Sequence, residues 1–199
     1  MSLTSSDAPS PGLNLLGTMI VVVGPSGAGK DTLIDYAAEH LRDNPDVHFV
    51  RRVITRDSDA GGENHQGCTE DAFERKKLAG EFCVSWSAHG LHYGIPTSVK
   101  EHLKHGGVAV ANGSRSALPH FRSAFPSLKV VVVTARPEIL SARLANRGRE
   151  SMAEIMGRLD RKVEVLCDDV DVTTIDNSGE IEEAGSALLA LVQDYLPAR

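Results

Sequence analysis

The stretch Gly24-Pro25-Ser26-Gly27-Ala28-Gly29-Lys30 has the composition needed to grip a phosphate chain. Glycine belongs where an anion must approach main-chain N–H groups, because a side chain there would hold it off. Lys30 supplies a mobile cation, and the spacing G-x-x-x-x-G-K of a phosphate-binding loop (P-loop) is met in full. Asp31 stands where Ser or Thr ordinarily offers a hydroxyl to Mg2+, and Thr32 comes one residue late. Two readings of Asp31 stand. Its carboxylate approaches a metal, directly or through water, or it complements the positive end of the helix that follows. The glycine order G-x-x-G-x-G is not the G-x-G-x-x-G of a dinucleotide site.

Other residues with chemical potential cluster in four places. Arg51, Arg52 and Arg56 fall at a strand end, where buried unpaired cations are costly, so they read as an anion site beside the P-loop or as a solvated edge. The polar, glycine-rich run from Asp57 to Cys68 carries Glu63, Asn64 and His65, and a loop this long is often functional. Asn112-Gly113-Ser114-Arg115 ends an apolar run, at the carboxyl end of a strand, where ligands bind in open α/β sheets. A second set of arginines, Arg143, Arg147, Arg149, Arg158 and Arg161, decorates two helical patterns. They read as a lid over a triphosphate or as a solvated hairpin with i,i+4 ion pairs. Trp86 reads as a core residue or a sugar-stacking one, and His65, His89 and His92 as packing or contact residues.

The elements that must position these groups alternate. Met19–Val23 is an apolar strand entering the P-loop, and Leu33, Ile34, Ala37, Ala38 and Leu41 recur at helical spacing behind it. Val47–Thr55 reads as one strand and Thr69–Ala79 as a helix with Thr69 as N-cap. Phe82–Trp86 and Leu91–Gly94 form a hairpin. A helix is expected from Ile95–Thr97 to His105, a buried strand over Val108–Ala111, and a central strand over Val130–Thr134. Pro137 opens a further helix, Val172–Ile175 is the last strand, and a C-terminal helix follows. Strands alternating with helices imply a parallel sheet covered on both faces. Residues 1–17 read as a disordered leader and 18–199 as one domain.

Bulk properties narrow the classes. A formal charge of −6 argues against a nucleic-acid partner, and no apolar run is long enough to span a membrane. The chain starts without the basic and apolar pattern of a secretory signal. Cys68, Cys83 and Cys167 fit neither a zinc spacing nor a disulfide framework and read as reduced thiols of a cytoplasmic protein. The oligomeric state is not encoded in any pattern.

Taken together, the P-loop, Thr55-Arg56, Gly90-x-x-Tyr93-Gly94 and the arginine run from Arg143 to Arg149 resemble the guanylate kinase-like branch of the P-loop kinases. The resemblance runs from Met19 onward and implies a three-layer α/β P-loop NTPase fold with a central parallel sheet, in a kinase domain over 18–199 with a small acceptor-binding insertion over about 52–95 and a helical lid over about 143–161. The departures matter more. Where guanylate kinases read guanine with a serine, a glutamate and an aspartate, this chain aligns Arg52, Val84 and Asn112. A site that loses its hydrogen-bonding partners loses discrimination by orders of magnitude. With Gly62-Glu63-Asn64-His65, Leu91-His92-Tyr93-Gly94, Asn112-Gly113-Ser114-Arg115 and the Gly-Lys-Asp of the loop, the pattern is similar to the ribose 1,5-bisphosphate phosphokinases of phosphonate metabolism.

That resemblance implies ATP and Mg2+, a small-molecule sugar bisphosphate as acceptor, and transfer to its 1-phosphate to give 5-phosphoribosyl 1-diphosphate. ATP would lie on Gly24 to Lys30 with Asp31 and Thr32. Lys30, Arg56, Arg143, Arg147 and Arg158 would be catalytic. Arg52, Arg56, Glu63, Asn64, Tyr93, Asn112 and Arg115 would hold the acceptor, with Arg52 and Arg115 on the distal phosphate and Glu63, Asn64 and Asn112 toward the ribose hydroxyls. The alternative is a nucleoside monophosphate kinase with altered base preference. A catalytically silent interaction module would ordinarily have degraded its P-loop, and a nucleotide-gated regulator would bind ATP without an acceptor.

Overall fold

A computed structural model describes residues 16–59, 63–145 and 171–197. Arg147 and Arg158, most of the expected lid, residues 1–15 and Cys167 lie outside them. Leu16 and Gly17, read as leader, are within them, and the Gly17 N–H donates to the Leu103 carbonyl at 2.8 Å.

The first strand, β1 (Thr18–Val23), is buried along almost its whole length because helices cover both of its faces. It runs through the loop into α1 (Lys30–His40). After β2 (Val47–Phe49), β3 (Val53–Ile54) and β4 (Gln66–Gly67) come α2 (Glu70–Leu78), β5 (Phe82–Ala88) and β6 (Leu91–Pro96). The chain continues through α3 (Val99–Lys104), β7 (Val108–Asn112), a 3-10 turn at Arg115–Ala117, α4 (Leu118–Ala124), β8 (Leu128–Thr134) and α5 (Pro137–Ala145). It ends with β9 (Asp171–Asp176) and α6 (Ile181–Asp194).

Two sheets result. Five strands in the order β2-β7-β1-β8-β9 pair in parallel, and four in the order β4-β3-β6-β5 form a second, mixed sheet. Alternation along β1 divides the core. Met19, Val21 and Val23 pack with Leu103, Phe121 and Phe125 on one face, and Ile20 and Val22 with Leu33, Leu140 and Leu188 on the other. No helix among the described residues is long and apolar enough to cross a membrane.

Three expectations are corrected. Val47–Thr55 is not one strand. Val50 N–H still bonds the Val110 carbonyl at 2.8 Å, and the chain then leaves the parallel sheet so that Val53 and Ile54 pair antiparallel with Gly94 and Tyr93. Arg51 and Arg52 make the crossing. Ile95 and Pro96 do not start a helix. They extend β6 opposite Val84 and Phe82, and the helix begins only after Ser98. Val130–Thr134 is an interior strand, but the middle of the sheet is β1, where the P-loop emerges. The Thr69 cap is as expected, its Oγ1 accepting from Ala72 N–H at 3.2 Å.

Candidate active site

The P-loop leaves the carboxyl end of β1 through backbone that only glycine adopts cheaply. Gly24 sits at φ +152 and Gly29, the N-cap of α1, at φ +89 in the left-handed region. No side chain caps α1, so its first N–H groups and its positive end face the loop, a ready anion seat. The Lys30 ammonium donates to the carbonyls of Gly24 and Pro25, each at 3.1 Å. Burial pulls its pKa down from 10.5 to about 8; Asp31 and Glu63 oppose that shift, while Arg52 and Arg115 add to it. An incoming phosphate chain would raise it again by favouring the cation.

Two elements from the far half of the chain shape the loop. Asn177, buried just past β9, donates Nδ2 to the Ala28 carbonyl at 2.7 Å. A Cβ on Gly29 would lie 2.3 Å from that nitrogen. Helix α5 leans on the loop through Leu144, against Gly27, and carries Arg143 with Nη1 3.7 Å from the same Cβ position. Arg143 Nη1 is buried and has no hydrogen-bond partner among the described residues. A buried guanidinium nitrogen left unpaired among the described residues, beside a phosphate loop, suits an anion.

A cleft of about 210 Å3 joins this loop to the second sheet. Gly24, Ser26, Gly27, Gly29, Lys30 and Asp31 line it together with Arg52, Glu63, Tyr93 and Asn112, four of the expected acceptor residues. Arg52 is buried, its Nε donating to Glu63 Oε2 at 2.7 Å and its Nη2 to Oε1. Burial raises the Tyr93 phenol, with Arg52 and Arg56 pulling the other way. Asn112 Nδ2 donates to the Asp31 carboxylate. That carboxylate suits a hard cation such as Mg2+, which is commonly held by one or two carboxylates together with substrate phosphates.

Other expected residues are placed elsewhere. Arg56 lines a separate shallow pocket with Thr55, Ser58 and Cys68; its Nη2 lies 3.3 Å from His65 Nδ1, and its Nε is buried without a partner among the described residues. Asn64 lines an adjoining hollow with Asp35 and Arg51, next to Glu63 and Asp31. Arg115 opens the 3-10 turn behind Ser114, and burial lowers its pKa. Thr32 is exposed on α1. His65 is a packing residue, fully buried, with its ring nitrogens near the carbonyls of Glu63 and Asp57. Trp86 is both core and cleft wall, and His89, at φ +53 in the hairpin turn, also lines the cleft. The support from Asn177 escaped the sequence reading. Its only signal is its place at the carboxyl end of a parallel strand.

A glycine cradle at the middle of a parallel sheet, sharing one cleft with Arg52 and Tyr93, defines a P-loop phosphotransferase. A family model described as an AAA domain matches residues 20–157. Among solved structures, the fold is similar to guanylate kinase from Anaplasma phagocytophilum, with a TM-score of 0.69 at 16% identity, covering 92% of this chain and 87% of that one. Among curated proteins, the chain is 58% identical to ribose 1,5-bisphosphate phosphokinase PhnN of Agrobacterium fabrum, over 88% of this chain and 96% of that protein. It is 52% identical to the protein of that name from Rhizobium etli, over 94% and 96%. The chain belongs to the ribose 1,5-bisphosphate phosphokinases, within the AAA-domain P-loop proteins.

Proposed function

We propose that this protein transfers the γ-phosphoryl group of ATP to the 1-phosphate of ribose 1,5-bisphosphate, releasing 5-phosphoribosyl 1-diphosphate and ADP in the cytoplasmic breakdown of phosphonates. The observation that carries this is the continuity of one cleft from Lys30 to the Arg52–Glu63 pair in a chain 58% identical to a ribose 1,5-bisphosphate phosphokinase.

The acceptor's phosphate oxygen is already ionised at neutral pH, so the attack on the γ-phosphorus needs no general base. Catalysis is positioning plus charge neutralisation. The P-loop amides and Lys30 hold the β- and γ-phosphates, and Arg143 neutralises charge on the transferring group. Arg147 and Arg158 are assigned the same role from the sequence pattern. Asp31 would hold Mg2+, which when bound supplies neutralisation of the β- and γ-oxygens. Thr32 is assigned a phosphate oxygen.

On the acceptor side, Tyr93 and Arg56 are assigned the attacking phosphate, and Arg52 and Arg115 the distal one. Asn64 and Asn112 are assigned the ribose hydroxyls. Glu63, already spent on Arg52, reaches the sugar only through its remaining lone pairs. Val84 is fully inside the core, so the position aligned with the purine-reading glutamate offers a base no hydrogen bond.

The test is a steady-state assay with Mg-ATP, following ADP, with ribose 1,5-bisphosphate and GMP as parallel acceptors. Turnover on the sugar bisphosphate and none on GMP is the expected result. The reverse would make the protein a nucleoside monophosphate kinase with purine contacts away from Arg52 and Val84.

A further inference from the structure

The acceptor half of the cleft is walled by stacked rings. Trp86 on β5 and Tyr93 on β6 are cross-strand partners, with ring centroids 5.2 Å apart and planes 9° from parallel. The Arg52 guanidinium lies over both, its Cζ 5.0 Å from the Tyr93 centroid and 5.6 Å from that of Trp86. Glu63 holds one edge of the same group through Nε and Nη2. The Arg52 side chain is only 7% exposed. Behind Trp86 stands Phe121 of α4, centroid 5.9 Å away at 54°, so the indole is itself fixed to the core.

A planar cation held by one face and one edge has its direction set before any ligand arrives, and preorganisation of this kind lowers the entropy lost on binding. An aliphatic side chain at position 86 could still pack against Phe121. It would offer Arg52 no π face. A core role alone gives no reason for Trp86 to line the cleft, as it does.

We propose that Trp86 is a positioning residue for acceptor binding: it acts through Arg52, holding the guanidinium in the orientation that receives the acceptor phosphate remote from the P-loop. This rests on the reaction proposed above. Trp86 is also the only tryptophan of the chain, so its emission reads the contact directly.

In the test, Trp86 emission is titrated with ribose 1,5-bisphosphate, without ATP, in wild type and in Arg52→Lys. The lysine keeps the charge beside Glu63 but loses the planar face. A saturable change in wild type, with its midpoint moved up about tenfold in Arg52→Lys, is expected for loss of a desolvated cation–π contact. No change in wild type, or the same midpoint and amplitude in both proteins, would overturn the proposal. Kinetics give the second arm. Trp86→Leu should raise the acceptor KM about tenfold in the wild-type background and less than about twofold in Arg52→Lys, with the ATP KM and the melting temperature held and Trp86→Phe recovering most of the loss. Equal rises in both backgrounds, or an ATP KM that climbs in step, would make Trp86 merely structural. Emission that responds as expected in a wild type that transfers no phosphoryl group to the sugar would refute the proposed reaction while supporting the Trp86–Arg52 coupling.

Discussion

Lys30 should write itself into the pH dependence of ATP use. Burial lowers its pKa from 10.5 to about 8, and kcat/KM for ATP reports the ionisation of the free enzyme. The parameter should therefore be level to about pH 7 and fall about tenfold per pH unit above about pH 8. Bound triphosphate favours the cation, so kcat at saturating ATP should hold to higher pH. Lys30→Arg is the control: guanidinium stays protonated throughout, so the descending limb should vanish even though turnover drops. Stability carries the opposite sign. Between about 8 and 10.5 the folded lysine binds fewer protons than the unfolded one, so wild type gains stability as pH rises through that window. One pKa unit is worth about 1.4 kcal/mol, giving an upper bound of about 3 kcal/mol. Lys30 keeps some contact with solvent, and screening brings the working figure to about 2 kcal/mol. Relative to Lys30→Met, the wild-type melting temperature should thus climb by about 4–8 °C between about pH 7 and pH 10.5. Melting curves by circular dichroism at matched ionic strength measure this. A kcat/KM that stays level to about pH 10, or melting temperatures of the two proteins that move in parallel, would refute the assignment of a depressed lysine at the P-loop.

Further outcomes follow from the same geometry. In Gly24→Ala a Cβ would stand 2.2 Å from the Val133 carbonyl oxygen, at φ +152, so calorimetry should show a loss of at least about 1–3 kcal/mol together with weakened ATP binding; an unchanged melting temperature would contradict the loop geometry. Arg143→Ala removes a buried, unpartnered nitrogen, so it should fold at least as stably as wild type while turnover falls by about 10²–10³; single-turnover rates near wild type would remove Arg143 from the chemistry. Asp31→Asn and Asp31→Ala should both raise the Mg2+ concentration needed for half-maximal rate, and unchanged metal dependence in both would leave Asp31 as a dipole complement only. At the other end of the sheet, buried Lys129 bonds Asp171 at 2.5 Å, and Tyr195 donates to the same carboxylate at 2.5 Å. Asp171→Ala leaves that ammonium without its partner, and because the Asp171 side chain is 60% exposed the cost by urea denaturation should be about 1–2 kcal/mol, whereas Lys129→Met should cost less than about 1 kcal/mol; equal costs would count against the pairing.

The phosphate end of the site was legible in the chain because its determinants are local. Glycines, a lysine and a flanking strand and helix lie within a few residues of one another, and local backbone geometry does not wait for tertiary contacts. The alternation of strand and helix likewise announced a parallel sheet. Element edges were less legible where side chains have two homes. Ile95 and Pro96 look like a helix entry, yet Gly94 lies so close under the Phe82 ring that β6 stays paired beyond it.

The acceptor end could be read in its residue types but not in its arrangement. Arginine at 52 reads as part of an anion site or of a solvated edge. That its charge is already balanced by Glu63 and its plane set by Trp86 and Tyr93 depends on the chain leaving the parallel sheet after β2 and joining the second sheet at β3. Asn177 reaches Ala28 from 149 residues away, and Arg143 reaches the P-loop only because Leu144 packs on Gly27. Sequence alone determined the loop chemistry, the fold class and the kinship with sugar bisphosphate kinases. Only the tertiary structure decided which charges are paired and which are left facing a ligand, because pairing is settled by distances between elements far apart in the chain.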